Sequence, residues 1–447
     1  MPFMNTGRGC GWVRSCALVT MLSLASSAIC QTTGSPKTYP VAALQQDLAF
    51  LKAKLSALHP ALDMYTSAER LESCFDSLGK SIQQPLTELQ FLSTIAALYP
   101  LLGDGHTLFL PGTDDQGRSY LPLNVTWLDE HLFITANGTS DEHLNAGREI
   151  TRINGTPVAS IMDTLLMHQI RDGRNTTYPR WIINNYFKEY YRFSFGEPPT
   201  FTIELKSERG FEKVVVGSLT SDSIRANINR NASPGMIANR SSGITMRFEK
   251  GDSVAVLTIP TFETKTLKSE YGQNAKREVM STFAMMREHK TRKLILDLRG
   301  NQGGDPSLGK LLLSYLLDEP FTLVSKGPAS GTSKPHRGPF TGQLVVLMDG
   351  GCFSVTGMVL SCLERDHRAT FIGEEAGGNR TVISGSPKHV RLPNTGIDCY
   401  ISTRLWRLTD GPNDGHGVMP TIAVRATIED LLSGRDAVMD VALKALE

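Results

Sequence analysis

The sequence predicts an α/β protein: a repeated strand–helix domain preceded by a β-rich module and a helical N-terminal region. Three observations carry this expectation. From Val254 onward, short apolar runs alternate with stretches of helical period, giving strands at residues 254–259, 294–298, 344–348 and 369–372 and helices at about 274–288, about 308–317 and from Ser354. Such alternation is the pattern of βα crossovers onto a mostly parallel sheet. Between residues 119 and 218 the apolar runs are shorter and strand-like, and between about 40 and 100 leucines recur at helical spacing.

In the helical region, residues 31–118, Leu44, Leu48, Leu51, Leu55 and Leu58 share one helix face and Pro60 stops the run. A second helical pattern at about 86–101 ends in Gly103-Asp104-Gly105-His106-Thr107, a turn leading into Leu108-Phe109-Leu110. The β-rich module, residues 119–218, reads as strands at 123–127, 131–135 and 149–153, an Asn154-Gly155 turn, a helix from about Ile161 and a strand pair at 200–205 and 213–216. Residues 219–242, rich in Ser, Asn and Arg, read as a linker, and residues 243–447 as the α/β domain.

With 447 residues, 40% hydrophobic and 20% charged, and a formal net charge of +1, the composition is that of a globular protein of about two to four domains. No basic block points to nucleic acid. Arg8 and Arg14 precede an apolar run, residues 16–24, which gives way to Ala25, Ser26, Ser27 and Ala28. That is the layout of a secretory signal peptide, too short for a membrane span. Residues 1–30 are expected to be removed, after Ala28 or Cys30, leaving a nearly neutral chain with no further stretch able to span a bilayer. Ile29 is bulky where a lipoprotein site at Cys30 wants a small residue. Beyond the leader lie Cys74, Cys352, Cys362 and Cys399, with no CxxC and no metal-ligand spacing. A Cys362–Cys399 disulfide is compatible with an export compartment.

The chemistry concentrates on two glycine-rich turns. After the apolar run 344–348, Asp349-Gly350-Gly351-Cys352-Phe353 breaks the strand, and Ser354 opens a helical period marked by Val355, Met358, Val359, Cys362 and Leu363. Free amides and the positive dipole end at a helix N-terminus favour developing negative charge, which suits an acyl-transfer nucleophile. The competing role for Ser354 is an ordinary N-cap, and Cys352 reads as a small buried hydrophobe. The second turn, Arg299-Gly300-Asn301-Gln302-Gly303-Gly304, also leaves a strand end with backbone amides to offer. Phosphate binding is its competing use, but neither GxxxxGK[ST] nor GxGxxG is present.

These two turns, with Gly373-Glu374-Glu375, Gly377-Gly378, Gly415-His416-Gly417-Val418-Met419-Pro420 and the Gly103–Thr107 stretch, resemble the S41 peptidases: the C-terminal processing proteases, tricorn-type cores and interphotoreceptor retinoid-binding modules. The resemblance implies a crotonase-like ββα catalytic domain and a PDZ-like module over residues 119–218, with no metal or organic cofactor. It implies Ser354 as nucleophile and an oxyanion hole from the amides of Val355 and of Gly303 or Gly304. The processing branch uses a lysine where this chain has Asn379 followed by Arg380, and arginine stays protonated. The tricorn-like branch uses histidine instead, and His106 fits that pattern, with His416 the rival base. Asp414 matches the acidic member; Asp410, Asp104 and Glu374 are alternatives. The function implied is a secreted serine peptidase acting on peptide or protein substrates. An esterase, or a non-catalytic binding protein on the same scaffold, is the alternative.

Overall fold

The central strands of the α/β domain are apolar along their whole length because both of their faces are covered. In the computed structural model, which describes residues 37–112, 117–208, 210–231, 243–251, 253–327 and 330–447, Val254–Thr258 is the second strand of a six-stranded sheet. The strand order is Thr245–Glu249, Val254–Thr258, Lys293–Asp297, Gln343–Met348, Thr370–Gly373 and Ile422–Ala423. The first pair is antiparallel and every later pairing is parallel. Ala255, Leu257, Leu294, Leu296, Leu344 and Val346 face the helices Ala275–Glu288, Pro306–Leu316 and Val355–Arg365. Val254, Val256, Ile295, Val345 and Leu347 face the C-terminal helix Ala437–Ala445, through Val438, Met439 and Ala442. A strand sandwiched in this way has no polar side to alternate with.

The module before it is antiparallel. Its main path runs Gly210–Gly217, Thr200–Ser207, Glu149–Ile153, His131–Asn137, Leu123–Leu128. The strands show the buried–exposed alternation of a sheet with one solvated face, as in Phe201, Ile203 and Leu205 pointing inward. The Asn154-Gly155 turn has both residues at positive φ, 50° and 78°, as a type I′ hairpin requires. Helices Val158–Met167 and Thr177–Phe195 close the buried face through Ile161, Leu165, Ile183 and Phe187.

Towards the N-terminus, helices Val41–Leu58, Ala68–Ser81 and Glu88–Ala96 follow one another, and Leu44, Leu48, Leu51 and Leu55 are buried as their spacing predicts. The short strand Leu108–Leu110 then pairs with Asp398–Ile401, tying this region to the α/β domain. Thr38–Glu447 forms one compact unit.

One expectation is corrected. Residues 221–231 of the expected linker are the helix Ser221–Asn231, which buries Ile224 and starts with the Ser223 amide bonded to Thr220 Oγ1; residues 232–242 lie outside the described residues. Cys362 and Cys399, whose pairing the sequence leaves open, are free thiols. The expected signal peptide lies outside the described residues. Among the described residues no helix is long and apolar enough to cross a membrane.

Candidate active site

Ser354 stands between the strand Gln343–Met348 and the helix Val355–Arg365, and its backbone is at φ 56°, ψ −121°. For a residue with a side chain this is a strained conformation. It is the strand–turn–helix geometry that lifts a nucleophile out of the chain path. Ser354 occupies the N-cap position but makes no capping bond. Its Oγ instead lies 3.0 Å from Nε2 of His106, a residue 248 positions away. Ser354 thus sits at the cap position without capping, its side chain turned towards an imidazole.

His106 is held by the turn after the short helix Tyr99–Leu102, which ends in Gly103 in the left-handed conformation. The imidazole is buried and stacks on Phe353, centroids 4.7 Å apart, and Phe353 stacks in turn on Tyr178 at 4.2 Å. A Cβ on Gly105 would meet Phe353 Cζ at 2.4 Å, so only glycine lets the turn approach this stack. Burial lowers the His106 pKa to about 4, against the attraction of Asp104. Its Nδ1 is buried and has no hydrogen-bond partner among the described residues.

Asp104 sits beneath the same turn. Oδ1 accepts the His106 N–H at 2.8 Å, while Oδ2 accepts Thr107 Oγ1 at 2.6 Å and faces His59 Nε2 at 2.9 Å. His59 Nδ1 accepts the Ala61 N–H, so Nε2 carries the proton donated to Asp104. Burial pushes the Asp104 carboxyl up, but the His59 hydrogen bond and the neighbouring histidines outweigh this and hold it well below the usual carboxylate range. An oxygen or nitrogen from each of Asp104, His106 and Asp172 lies within 4.8 Å of the others, a spacing able to hold a cation. Both Asp104 oxygens and both Asp172 oxygens already accept hydrogen bonds, however, and His106 Nε2 faces Ser354. The donor set serves the turns rather than an ion.

The two glycine turns meet at Ser354. A Cβ on Gly303 would lie 2.8 Å from the Val355 nitrogen and 2.9 Å from Ser354 Cβ. The Gly303 amide donates to Asn301 Oδ1 at 2.9 Å, whereas the Val355 and Gly304 amides have no partner among the described residues. Asp349 binds the turns together by accepting the amides of Gly300 and Gly351 at 2.8 and 2.9 Å.

The other expected acids and the rival base are engaged elsewhere. Asp414 pairs with Arg380 at 2.6 Å and accepts the His416 N–H, Asp410 pairs with Lys326 and Glu374 with Arg425. None of the three has a hydrogen bond to His106. His416 Nδ1 faces Glu375 at 3.1 Å. Asn379, at the lysine position of the processing branch, is buried and donates to Tyr65 Oη and Asn413 Oδ1. Cys352 is buried, its thiol bonds Leu298 O at 3.1 Å, and burial raises its pKa well above the usual value. Sequence reasoning missed His59, Asp172 and the stacking of Tyr178 on Phe353, since His59, Asp172 and Tyr178 stand in no motif. The only local signal was Asp172-Gly173-Arg174-Asn175, turn residues between two helices.

Residues 253–424 match the model of peptidase family S41. Among solved structures the chain is similar to mature CPAF, at 17% identity over 91% of this chain and 96% of that one, with a TM-score of 0.66. It is also similar to the photosystem II D1 C-terminal processing protease, at 14% identity over 88% and 98% with a TM-score of 0.44. A third is tricorn protease, at 17% identity over 91% of this chain and 36% of that one with a TM-score of 0.43. No curated protein sequence matches the chain. At such identity the likeness to CPAF shows the fold, a crotonase-like α/β domain with a PDZ-like module and a helical N-terminal region.

Proposed function

We propose that this chain, whose residues 253–424 match the model of peptidase family S41, is an exported serine peptidase that cleaves peptide bonds through Ser354 and His106. The observation that carries the reading is the 3.0 Å approach of His106 Nε2 to Ser354 Oγ, on a serine held at φ 56°. With its proton on Nδ1, His106 accepts the Ser354 proton as Oγ attacks the substrate carbonyl. The resulting oxyanion would meet the unengaged amides of Val355 and Gly304; one such donor contributes roughly 3–4 kcal/mol in comparable sites. Collapse of the tetrahedral species forms an acyl-enzyme and passes the proton to the leaving amine. Water, deprotonated by His106, then releases the product.

Asp104, rather than the Arg380-paired Asp414, is the anion that favours the imidazolium, since it is buried beside His106 and held ionised by three donors. Export rests on the basic–apolar–small order of residues 8–28. The PDZ-like module offers an antiparallel sheet to which an extended peptide could add as a strand.

Labelling by a fluorophosphonate probe tests the assignment. Wild type should label, Ser354→Ala should not, and His106→Ala should label at least about a hundredfold more slowly. A folded wild type that takes no label would favour the binding-protein alternative.

A further inference from the structure

The loop between helices Val158–Met167 and Thr177–Phe195 leaves the antiparallel module and threads into the catalytic centre. Gly173 N–H donates to Gly103 O and Arg174 N–H to Gly415 O, both at 2.8 Å, and Asn175 Nδ2 donates to Ala376 O at 2.9 Å. At its head is Asp172, only 3% exposed and without a cationic partner among the described residues. A buried carboxylate with no cation is unfavourable unless other donors satisfy it. Here two backbone amides do so, one on each oxygen. Oδ1 accepts the N–H of Gly105, the residue before His106, at 2.9 Å. Oδ2 accepts the N–H of Asn379 at 3.2 Å. Asn379 follows Gly378, whose own N–H donates to Cys352 O at 3.0 Å and whose Cβ, if it had one, would lie 3.3 Å from the Ser354 nitrogen. One carboxylate therefore spans the turn that carries the base and the turn that underlies the nucleophile.

We propose that Asp172 is a positioning residue that sets the His106–Ser354 distance by clamping these two turns, one backbone amide on each carboxylate oxygen. The proposal rests on reading Ser354 and His106 as nucleophile and base. The ionised carboxylate accepts strongly on both sides; protonation turns one oxygen into a hydroxyl, a much poorer acceptor, and loosens its hold on that turn. Burial first, and then Asp104, push the Asp172 pKa up to about 8, partly opposed by the two amides. The other titratable groups around it are His106, Tyr65 and Tyr178, with His59 behind Asp104. Both tyrosine hydroxyls are raised above their usual value by burial and remain protonated through this range. The clamp is thus complete above about pH 8 and half-made below it.

The test is the saturation kinetics of fluorophosphonate labelling between pH 5 and pH 9.5 for wild type, Asp172→Asn, Asp172→Glu and Ser354→Ala. In wild type the maximal rate constant should rise as pH passes through about 8, a step needing no variant to observe. Asp172→Asn, which keeps one acceptor oxygen and cannot ionise, should lose that step and at pH 9.5 fall by at least about tenfold in rate constant, with probe affinity within about twofold. Asp172→Glu should retain a pH step. A flat wild-type profile between pH 7 and pH 9, or a folded Asp172→Asn that reacts as wild type does at pH 9.5, overturns the proposal while loss of label in Ser354→Ala leaves the nucleophile standing. Equal labelling of Ser354→Ala overturns both.

Discussion

The backbone of Ser354 lies where glycine is at ease and other residues are not, at φ 56°, ψ −121°. Such positions cost a residue with a Cβ about 1–3 kcal/mol and persist where the surroundings fix them. Gly303 does so here, packed against Ser354 Cβ and the Val355 nitrogen. Two inactive variants should therefore differ in stability. Ser354→Gly relieves the strain and Ser354→Ala keeps it, so even after the larger unfolded-state entropy of glycine the Gly variant should be more stable by about 1 kcal/mol in urea denaturation. An Ala variant as stable as the Gly one would show that the turn holds no strain. From sequence, serine at a helix start reads first as a cap and only then as a nucleophile, because both need the same place in the chain. The dihedral angles and a histidine 248 positions away are what favour the second role, and neither is a local property.

Among the elements, the segment from Asp172 to Thr177 is short and irregular, and its partners lie far away in the chain. Asn175 is fully buried; its Nδ2 donates to Ala376 O, 201 positions away, and its Oδ1 accepts the Tyr178 N–H at the start of the helix Thr177–Phe195. That helix places Tyr178 on Phe353 and Trp181 so close to Gly351 that a Cβ there would meet the indole at 2.5 Å. Asn175→Ala leaves a buried carbonyl and a buried amide bare, and each such group costs about 1–3 kcal/mol. We expect a loss of about 2–4 kcal/mol in global stability by urea denaturation. A loss under about 1 kcal/mol would mean that water replaces both bonds and that the segment only borders the site. The strands of the α/β domain could be read because an apolar run announces itself within a few residues, and observed limits such as Gln343–Met348 lie within a residue or two of the expected ones. Nothing comparable marks this loop, whose function lies wholly in contacts across the fold.

For the whole molecule, the order of helical region, antiparallel module and α/β domain was legible because each has its own period. Two pieces were not. The strand Asp398–Ile401 pairs back to Leu108–Leu110, a long-range match that no local pattern encodes. The C-terminal helix Ala437–Ala445, which covers the second face of the main sheet, is short and was not anticipated. Both contacts lie within Thr38–Glu447, which forms one compact unit. Three buried thiols report on that unity from different places: Cys352 in the nucleophile turn, Cys362 in the helix after it and Cys399 in the strand facing Leu108–Leu110. Burial raises the pKa of all three, that of Cys362 to about 12, so little thiolate is present and each is shielded in the native state. Cys74, half-buried on the helix Ala68–Ser81, is the accessible one of the four. Maleimide labelling followed by peptide mapping should modify Cys74 in the native protein. The other three should react only over the denaturant range in which the chain unfolds, with a single shared midpoint. If Cys399 became reactive at lower denaturant than Cys352 and Cys362, the strand pair that joins the N-terminal region would open by itself. His106 would then leave Ser354 before the α/β domain lost its fold, and activity should be lost at that earlier midpoint.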